Sequence, residues 1–304
     1  MAEITIIGTG AMAMLVGGRL ARAGIKVRLL GTWRECINAV NEHGIGVFED
    51  GSSRYYPAEA YLDPEKLKDT KLALVLVKSW QTERAASQLR EILADDGIAL
   101  TLQNGLGNGE ILRAALGAER TSLGVTTYGA TVLGPGKVKP GGEGVISVGE
   151  HARLAGLLRI LEEGGFILQQ LSDLTGLIWG KLVINVAINP LTALVGVQNG
   201  KLLESPSLTQ LMGIAAREAA AVAAQAGIPL NFNDPAQAAE AVAEATGDNL
   251  SSMLQDIRRG APTEIDALCG AVVREGIKVH VATPVNEILH MLIQGKVDLG
   301  REEE

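Results

Sequence analysis

The residues best suited to chemistry lie on one predicted helix in the second half of the chain. Lys181, Asn185 and Asn189 recur at every fourth position, so a helix would place them in one stripe. The other residues from Leu182 to Leu191 are apolar, which indicates a helix buried on nearly all sides, and Pro190 should kink or end it. A buried ammonium group and two amides require a polar ligand or a second polar face. We therefore favour a binding site over a solvent-facing stripe.

A glycine-rich turn at the N-terminus is the second candidate site. It follows the apolar strand Ile4–Ile7 and precedes a predicted helix. Gly8 permits the tight turn, Gly10 lets the backbone approach a pyrophosphate, and Ala13 is small enough for helix–strand packing. The helix N-terminus then offers N–H groups and a favourable dipole to the phosphates. We predict a dinucleotide site, rather than a turn without a ligand, formed by Gly8, Gly10, Ala11, Met12 and Ala13.

The residues after the second predicted strand, Lys26–Leu30, discriminate between the nicotinamide cofactors. NAD enzymes place an acid at the end of this strand to bind the ribose hydroxyls, but no acid is present here. Thr32 and Glu35 form a capping-box pattern, which predicts a helix with Arg34 in its first turn. A 2′-phosphate would meet a hydroxyl, helix N–H groups and a guanidinium, which favours NADP. The alternative for Arg34 is a solvated surface charge.

Two neighbouring predicted strands are followed by polar residues. Lys78 follows the apolar run at 72–77, and Asn104 follows the strand at 98–102. Strand carboxyl ends in a parallel sheet face the ligand crevice. This position favours a role for both residues at the cofactor site, although Asn-Gly is also a common turn.

Three more polar residues lie near the predicted ends of later helices. Asn249 and Ser252 are one turn apart at the start of a helix predicted over 249–258, where either could be an N-cap. Glu264 opens the next predicted helix, at a position where the helix dipole favours an acid. From spacing alone, each of the three has a structural explanation as well as a functional one.

The order of patterns along the chain predicts two domains. Strands alternate with helices up to about Ser172, as in a parallel sheet with crossover helices, and Ala- and Leu-rich helices follow. We predict an α/β fold, with a Rossmann-type doubly wound dinucleotide domain over 1–172 and an all-α substrate domain over 173–304. The helices of the second domain are predicted at 174–194, 208–226, 235–245, 249–258, 264–275 and 286–294.

Composition excludes several classes of partner. The net charge of −8, without clustered Lys and Arg, argues against nucleic acid. No apolar stretch approaches the roughly 20 residues of a membrane span, and no signal-peptide pattern is evident, so we expect a cytoplasmic protein without a membrane partner. The histidines lack metal-ligand spacing, so no metal is expected. Cys36 and Cys269 are predicted to be buried free thiols.

Taken together, these segments resemble the ketopantoate reductase family, the NADPH-dependent 2-dehydropantoate 2-reductases, over nearly the whole chain. The motifs that carry the resemblance are the glycine turn, Lys78-Ser79-Trp80-Gln81, Gln103-Asn104-Gly105, Trp179-Gly180-Lys181-Leu182 with Asn185, Asn189-Pro190-Leu191-Thr192, Asn199-Gly200, the run from Asn249 to Asp256, and Thr263-Glu264-Ile265-Asp266. The resemblance implies a Rossmann domain followed by a helical domain like that of 6-phosphogluconate dehydrogenase. It also implies reduction of ketopantoate to (R)-pantoate, a step in pantothenate biosynthesis.

The resemblance assigns roles to individual residues. It implies that Lys181 is the general acid and that Glu264 binds and orients the substrate. Asn104 would lie near the nicotinamide, with Lys78 also at the site. The residues expected to bind substrate, in addition to Lys181, Glu264 and Asn104, are Asn185, Asn189, Asn199, Asn249 and Ser252.

Two positions depart from the family pattern. Ala13 replaces a glycine that is often found, and Thr32 holds the place of a common arginine, with Arg34 two residues later. Two alternative functions are reduction of another 2-keto acid and non-catalytic dinucleotide sensing. The expected substrate is a small 2-keto acid, and the expected assembly is a homodimer.

Overall fold

The computed structural model describes residues 2–300 of the 304-residue chain. The chain divides into two compact units. The first contains the residues up to Gln103 together with Asn108–Leu174, and the second contains Asn104–Gly107 together with the residues from Thr175 onward. The sequence did not indicate that Asn104–Gly107 groups with the later helices, and the domain boundary proposed near residue 172 stays a prediction.

The first unit has an α/β architecture. Its strands are β1 (Glu3–Ile7), β2 (Lys26–Leu30), β3 (Ile45–Glu49), β4 (Ser52–Tyr56), β5 (Glu59–Tyr61), β6 (Thr70–Val75), β7 (Leu93–Thr101), β8 (Thr121–Thr126), β9 (Ala130–Gly134), β10 (Lys137–Pro140), β11 (Ile146–Gly149) and β12 (Leu168–Leu171). Its α-helices are α1 (Ala11–Arg22), α2 (Arg34–His43), α3 (Thr82–Ile92), α4 (Asn108–Leu116) and α5 (Ala155–Glu163).

Eight of these strands form the main sheet, in the order β12-β11-β8-β7-β6-β1-β2-β5. Its strands from β8 to β5 pair in parallel, whereas β11 runs antiparallel to β8. Both faces of this sheet are covered, so the side chains that point to either face of its central strands are mostly apolar. Ile4 and Ile6 on β1 and Ala73 and Leu74 on β6 are all fully buried. The predicted Rossmann-type sheet is confirmed.

A second sheet has four strands in the order β4-β3-β10-β9. The hairpin of β3 and β4 turns at Asp50-Gly51. The antiparallel pair β9 and β10 turns near Gly134–Gly136. What the sequence did not indicate is that β3 and β10 then pair in parallel, which joins the two hairpins.

The second unit is helical. Its α-helices are α6 (Thr175–Val195), α7 (Pro206–Gln225), α8 (Pro235–Ala245), α9 (Ser252–Ile257), α10 (Ala271–Lys278) and α11 (Pro284–Gly300), with a 3-10 helix at Asn199–Glu204 and a π-helical turn at Asp266–Gly270. No strand occurs within residues 172–300, all of which the structure describes. The predicted helical second half is therefore confirmed, with α11 longer than expected.

Helix α6 is the central core helix of this unit and packs against α7, α8, α9 and α11. It continues through Pro190 to Val195, close to the predicted end at residue 194, so of the two effects expected of the proline it does not end the helix. The residues around the proline are buried, and Thr192 Oγ1 lies 3.0 Å from the Ile188 and Asn189 carbonyl oxygens. This packing outweighs the cost of about 3 kcal/mol for an interior proline.

The prediction that no apolar stretch approaches the length of a membrane span is wrong for α6. The helix has 21 residues and a mean hydropathy of 1.5 over an 18-residue window. By length and composition it could cross a membrane, but 67% of that window is buried inside the protein. Its apolar residues are thus accounted for by the core of the second unit.

Two helix starts differ from the sequence prediction. The N-cap of α9 is Ser251, whose Oγ accepts the Leu254 N–H at 3.1 Å, so neither Asn249 nor Ser252 is the cap. Glu264 does not open an α-helix, because the π-helical turn Asp266–Gly270 separates it from α10. A π-turn has no periodicity signal in one sequence, which explains the error.

Candidate active site

The turn between β1 and α1 has room for a pyrophosphate. Gly8 has a φ of +136°, and a Cβ there would lie 2.8 Å from the Leu76 carbonyl oxygen. Gly10 caps α1 without any side-chain hydrogen bond, and no atom lies within 4 Å of the place where its Cβ would be. Ala13 is fully buried where α1 packs on the sheet. An uncapped helix N-terminus beside open space fits the phosphate group of a dinucleotide.

This geometry predicts different consequences for substitutions of the two glycines: loss of dinucleotide affinity at Gly10 and loss of stability at Gly8. Gly10→Ala should fold normally and weaken dinucleotide binding about tenfold or more, because its Cβ would occupy the space expected for the pyrophosphate. Gly8→Ala should lower the stability by about 1–3 kcal/mol, because of backbone strain and the collision with Leu76. Thermal unfolding and dinucleotide titration distinguish the two effects. Unchanged dinucleotide affinity in Gly10→Ala would remove this turn from the cofactor site.

The start of α2 differs from the predicted capping box. The helix begins at Arg34, its N-cap is Trp33, and no side chain caps it. Thr32 lies one residue too early to cap, although the prediction that Arg34 lies in the first turn is confirmed. Thr32 and Arg34 are both exposed, and the chain from Lys26 to Arg34 contains no acid. A hydroxyl, a guanidinium and uncapped helix N–H groups are thus available to an anionic ligand.

Gln103 organises the ends of two central strands and was missed as a positioning residue. Its Nε2 donates to the Val77 carbonyl at 3.0 Å and to Thr82 Oγ1 at 2.8 Å. Its Oε1 accepts from Thr101 Oγ1 at 2.9 Å. These hydrogen bonds hold Val77 and Gln103 in place. Because Val77 directly precedes Lys78 and Gln103 directly precedes Asn104, the backbone leading into both predicted site residues is fixed. A polar residue directly after a buried strand was the available sequence signal.

Lys78 lies three residues beyond β6 and is the N-cap of the 3-10 turn Ser79–Gln81. Its backbone N–H donates to Gln81 Oε1 at 3.4 Å, and its carbonyl accepts the Gln81 N–H at 2.8 Å. The motif Lys-Ser-Trp-Gln is thus a closed local turn that holds the lysine at the carboxyl end of the sheet.

In the second unit, Lys181 and Glu264 interact electrostatically. Lys181 is half-buried on α6, and Glu264 is only 6% exposed. Burial lowers the pKa of Lys181 to about 8, while the nearby Glu264 carboxylate opposes this by raising it. A lysine with this pKa is mostly protonated at neutral pH and gives up its proton more readily than a solvated one.

The other predicted substrate residues lie in three places of this unit. Asn185 and Asn189 extend the α6 stripe, and Asn189 is 8% exposed. The Asn199 N–H donates to the Asn249 carbonyl at 3.0 Å, which brings these two segments together. Ser252 is exposed at the first position of α9.

Asn199 has an unsatisfied acceptor. Its Nδ2 donates to Thr246 Oγ1 at 2.9 Å, but its Oδ1 is buried without a hydrogen-bond partner among the described residues. Buried polar atoms are normally paired.

Helices α6 and α9 are linked by a buried hydroxyl pair. Thr192 Oγ1 and Ser251 Oγ lie 2.7 Å apart, and both residues are buried. Because Ser251 also caps α9, this pair fixes the start of α9, and with it Ser252, relative to the polar stripe of α6. Among the described residues, no group of three or more His, Cys, Asp or Glu could hold a metal ion.

A Rossmann-type sheet with an open pyrophosphate turn, followed by helices that carry a half-buried lysine interacting with a buried carboxylate, defines a nicotinamide-dependent oxidoreductase. The chain belongs to the ketopantoate reductase family. The family model "Ketopantoate reductase PanE/ApbA" matches residues 4–153, and its C-terminal model matches residues 173–297.

Individual relatives agree with this assignment. The chain is 35% identical to the 2-dehydropantoate 2-reductase of Halobacterium salinarum over 298 residues, which cover 96% of this chain and 98% of the relative. The crystal structure of a PanE/ApbA family ketopantoate reductase from Ralstonia eutropha is 30% identical, with a TM-score of 0.91 and coverage of 98% and 99%. A ternary structure of D-mandelate dehydrogenase with NADH and anilino(oxo)acetate is 27% identical, with a TM-score of 0.90 and the same coverage.

Proposed function

We propose that this protein reduces 2-dehydropantoate (ketopantoate) to (R)-pantoate with NADPH, as a step in pantothenate biosynthesis. The observation that carries the proposal is the Lys181–Glu264 pair, which provides a proton donor of suitable pKa in the helical unit of a family with named 2-dehydropantoate 2-reductases. A dinucleotide sensor would need no such donor.

The residues of this chain divide the work of the reaction. The bound dinucleotide would supply a hydride to the C2 carbonyl carbon. The Lys181 ammonium stabilises the negative charge that develops on the carbonyl oxygen and then donates its proton to it. Glu264 keeps Lys181 charged and orients the substrate, and Asn104 lies near the nicotinamide, with Lys78 at the cofactor site.

The amide groups suit the remaining parts of ketopantoate. Amide N–H groups can bind its carboxylate, and amide oxygens such as that of Asn199 can accept its primary hydroxyl. The other residues that would contact the substrate are Asn185, Asn189, Asn249 and Ser252.

The proposed NADPH preference depends on Arg34 and Thr32. Arg34→Ala should raise the KM for NADPH about tenfold and leave the KM for NADH unchanged, because only NADPH has a 2′-phosphate for the guanidinium. Arg159→Ala, at an exposed arginine on α5, is the control and should change neither value. If wild type used both cofactors equally, the NADPH preference would be wrong.

A second candidate is reduction of a different 2-keto acid. It is favoured by the similarity to D-mandelate dehydrogenase, whose structure contains NADH and anilino(oxo)acetate. The rate of NADPH oxidation by the purified protein should be measured with ketopantoate, 2-oxoisovalerate and phenylglyoxylate in turn as the substrate. The proposal predicts the highest kcat/KM with ketopantoate. A clear preference for phenylglyoxylate would establish the second candidate instead, and no turnover with any acid would favour the sensor.

We further propose a cytoplasmic location and a homodimeric assembly. The location is supported by the net charge of −8 and by the two cysteines, which are both free and buried. Burial raises the pKa of both thiols. Such unreactive free thiols are typical of proteins in reducing compartments.

A further inference from the structure

The segment Asn104–Gly107 makes a close backbone contact with the π-helical turn Asp266–Gly270. The Leu106 N–H donates to the Ala267 carbonyl at 3.1 Å. Gly105 has a φ of +80°, and a Cβ added there would overlap the Ala267 carbonyl oxygen and lie 2.8 Å from Ala267 Cβ. We call this pairing of Gly105 and Leu106 with Ala267 the Gly105–Ala267 contact. Only glycine permits the two backbones to approach so closely.

The π-helical turn connects this contact to Glu264. The Leu268 N–H donates to the Glu264 carbonyl at 3.1 Å, and the Gly270 N–H donates to the Ile265 carbonyl at 3.1 Å, a five-residue step. Glu264, Ile265 and Ala267 are all buried. The backbone of Glu264 is therefore held by the same turn that accepts the Leu106 N–H. Single π-turns within helices occur frequently at functional sites.

We propose that the Gly105–Ala267 contact positions Asn104 relative to Glu264, with Gly105 as the positioning residue. The inference rests on the proposed function, in which Asn104 lies near the nicotinamide and Glu264 orients the keto acid. Asn104 directly precedes the contact on one side, and Glu264 lies three residues before Ala267 on the other. Within the second unit, the contact thereby holds the backbone of Asn104 at a fixed position relative to that of Glu264, and catalytic rates are very sensitive to how the groups that bind the reactants are positioned.

The chain supplies a matched control for this proposal. Gly107 also has a positive φ, of +92°, but no atom lies within 4 Å of the place where its Cβ would be. A substitution there causes similar backbone strain without a collision. Asparagine tolerates positive φ better than other residues, so Gly105→Asn and Gly107→Asn provide a second pair with less strain than Gly105→Ala and Gly107→Ala.

The experiment compares kcat, dinucleotide Kd and the primary isotope effect from C4-deuterated NADPH in all four variants, with thermal unfolding as the check of folding. The Gly105 variants should lose about 10- to 100-fold in kcat, with an increased isotope effect and a dinucleotide Kd within about threefold of wild type. The Gly107 variants should keep the kcat and isotope effect of wild type. A merely structural role would lower the unfolding temperature without changing the isotope effect.

Two results would overturn the inference, and they are distinguishable. Equal kcat and isotope effects in the Gly105 and Gly107 variants, in a protein that reduces ketopantoate, would overturn the positioning role alone. A wild-type protein that reduces no keto acid would overturn the proposed function, and the positioning role with it.

Discussion

Replacing Lys181 with methionine should reduce kcat for ketopantoate by about 10²- to 10⁴-fold, the usual range for loss of a general acid. Methionine has a similar length and no charge, so the variant removes both the proton and the stabilisation of the developing oxyanion. Dinucleotide affinity should stay within a few-fold of wild type, because the glycine turn and Arg34 belong to the other unit. Steady-state kinetics and dinucleotide titration give the two values.

The control for this variant is Lys278→Met. Lys278 is an exposed lysine of the same unit, paired with Glu275 at 2.7 Å. Its replacement removes the same charge away from the stripe on α6 and should leave kcat unchanged. A Lys181→Met protein with nearly normal turnover would show that the proton comes from another group.

The second large effect is expected from Glu264→Gln, which should move the pH dependence of catalysis. The acid must be protonated to act, so wild-type kcat/KM should fall as pH rises through the Lys181 pKa of about 8. The Glu264 carboxylate raises that pKa, and glutamine removes the charge with little change of shape. The fall in activity should therefore begin at a lower pH in the variant. The KM for ketopantoate should rise as well, because Glu264 also orients the substrate.

Glu287→Gln is the control for the change of charge. Glu287 is exposed on α11 in the same unit, so its replacement changes the net charge equally and should leave the pH profile unchanged. If Glu264→Gln lowered activity equally at every pH, Glu264 would have no electrostatic role toward Lys181, and its function would be limited to substrate binding.

The parts of the fold that depend on local periodicity could be predicted from the sequence. Strand β2 was predicted at Lys26–Leu30 and helix α8 at Pro235–Ala245, and both have those bounds. Errors arose where tertiary packing prevails over local preference. The pairing of β3 with β10 joins segments that are distant along the chain, and the π-helical turn Asp266–Gly270 replaces the start of the helix predicted at 264–275.

In the candidate site, too, features that depend on local spacing could be predicted, and features that depend on tertiary packing could not. The spacing of Lys181, Asn185 and Asn189 was sufficient to place them on one helix. Spacing could not show that Glu264 acts on Lys181, because this interaction depends on how the π-helical turn and α6 pack together. Nor could it show the role of Gln103, whose hydrogen bonds join the ends of two strands.

The central claim is that Lys181 donates the proton in reduction of a 2-keto acid. It is tested most directly by the kcat/KM for ketopantoate, measured from about pH 6 to about pH 10 in wild type and Lys181→Met. The wild-type value should fall above a pH of about 8, and the variant should have a low value without this fall. A variant that shows the same decrease at the same pH as wild type would contradict the account, because a different group would then control proton transfer.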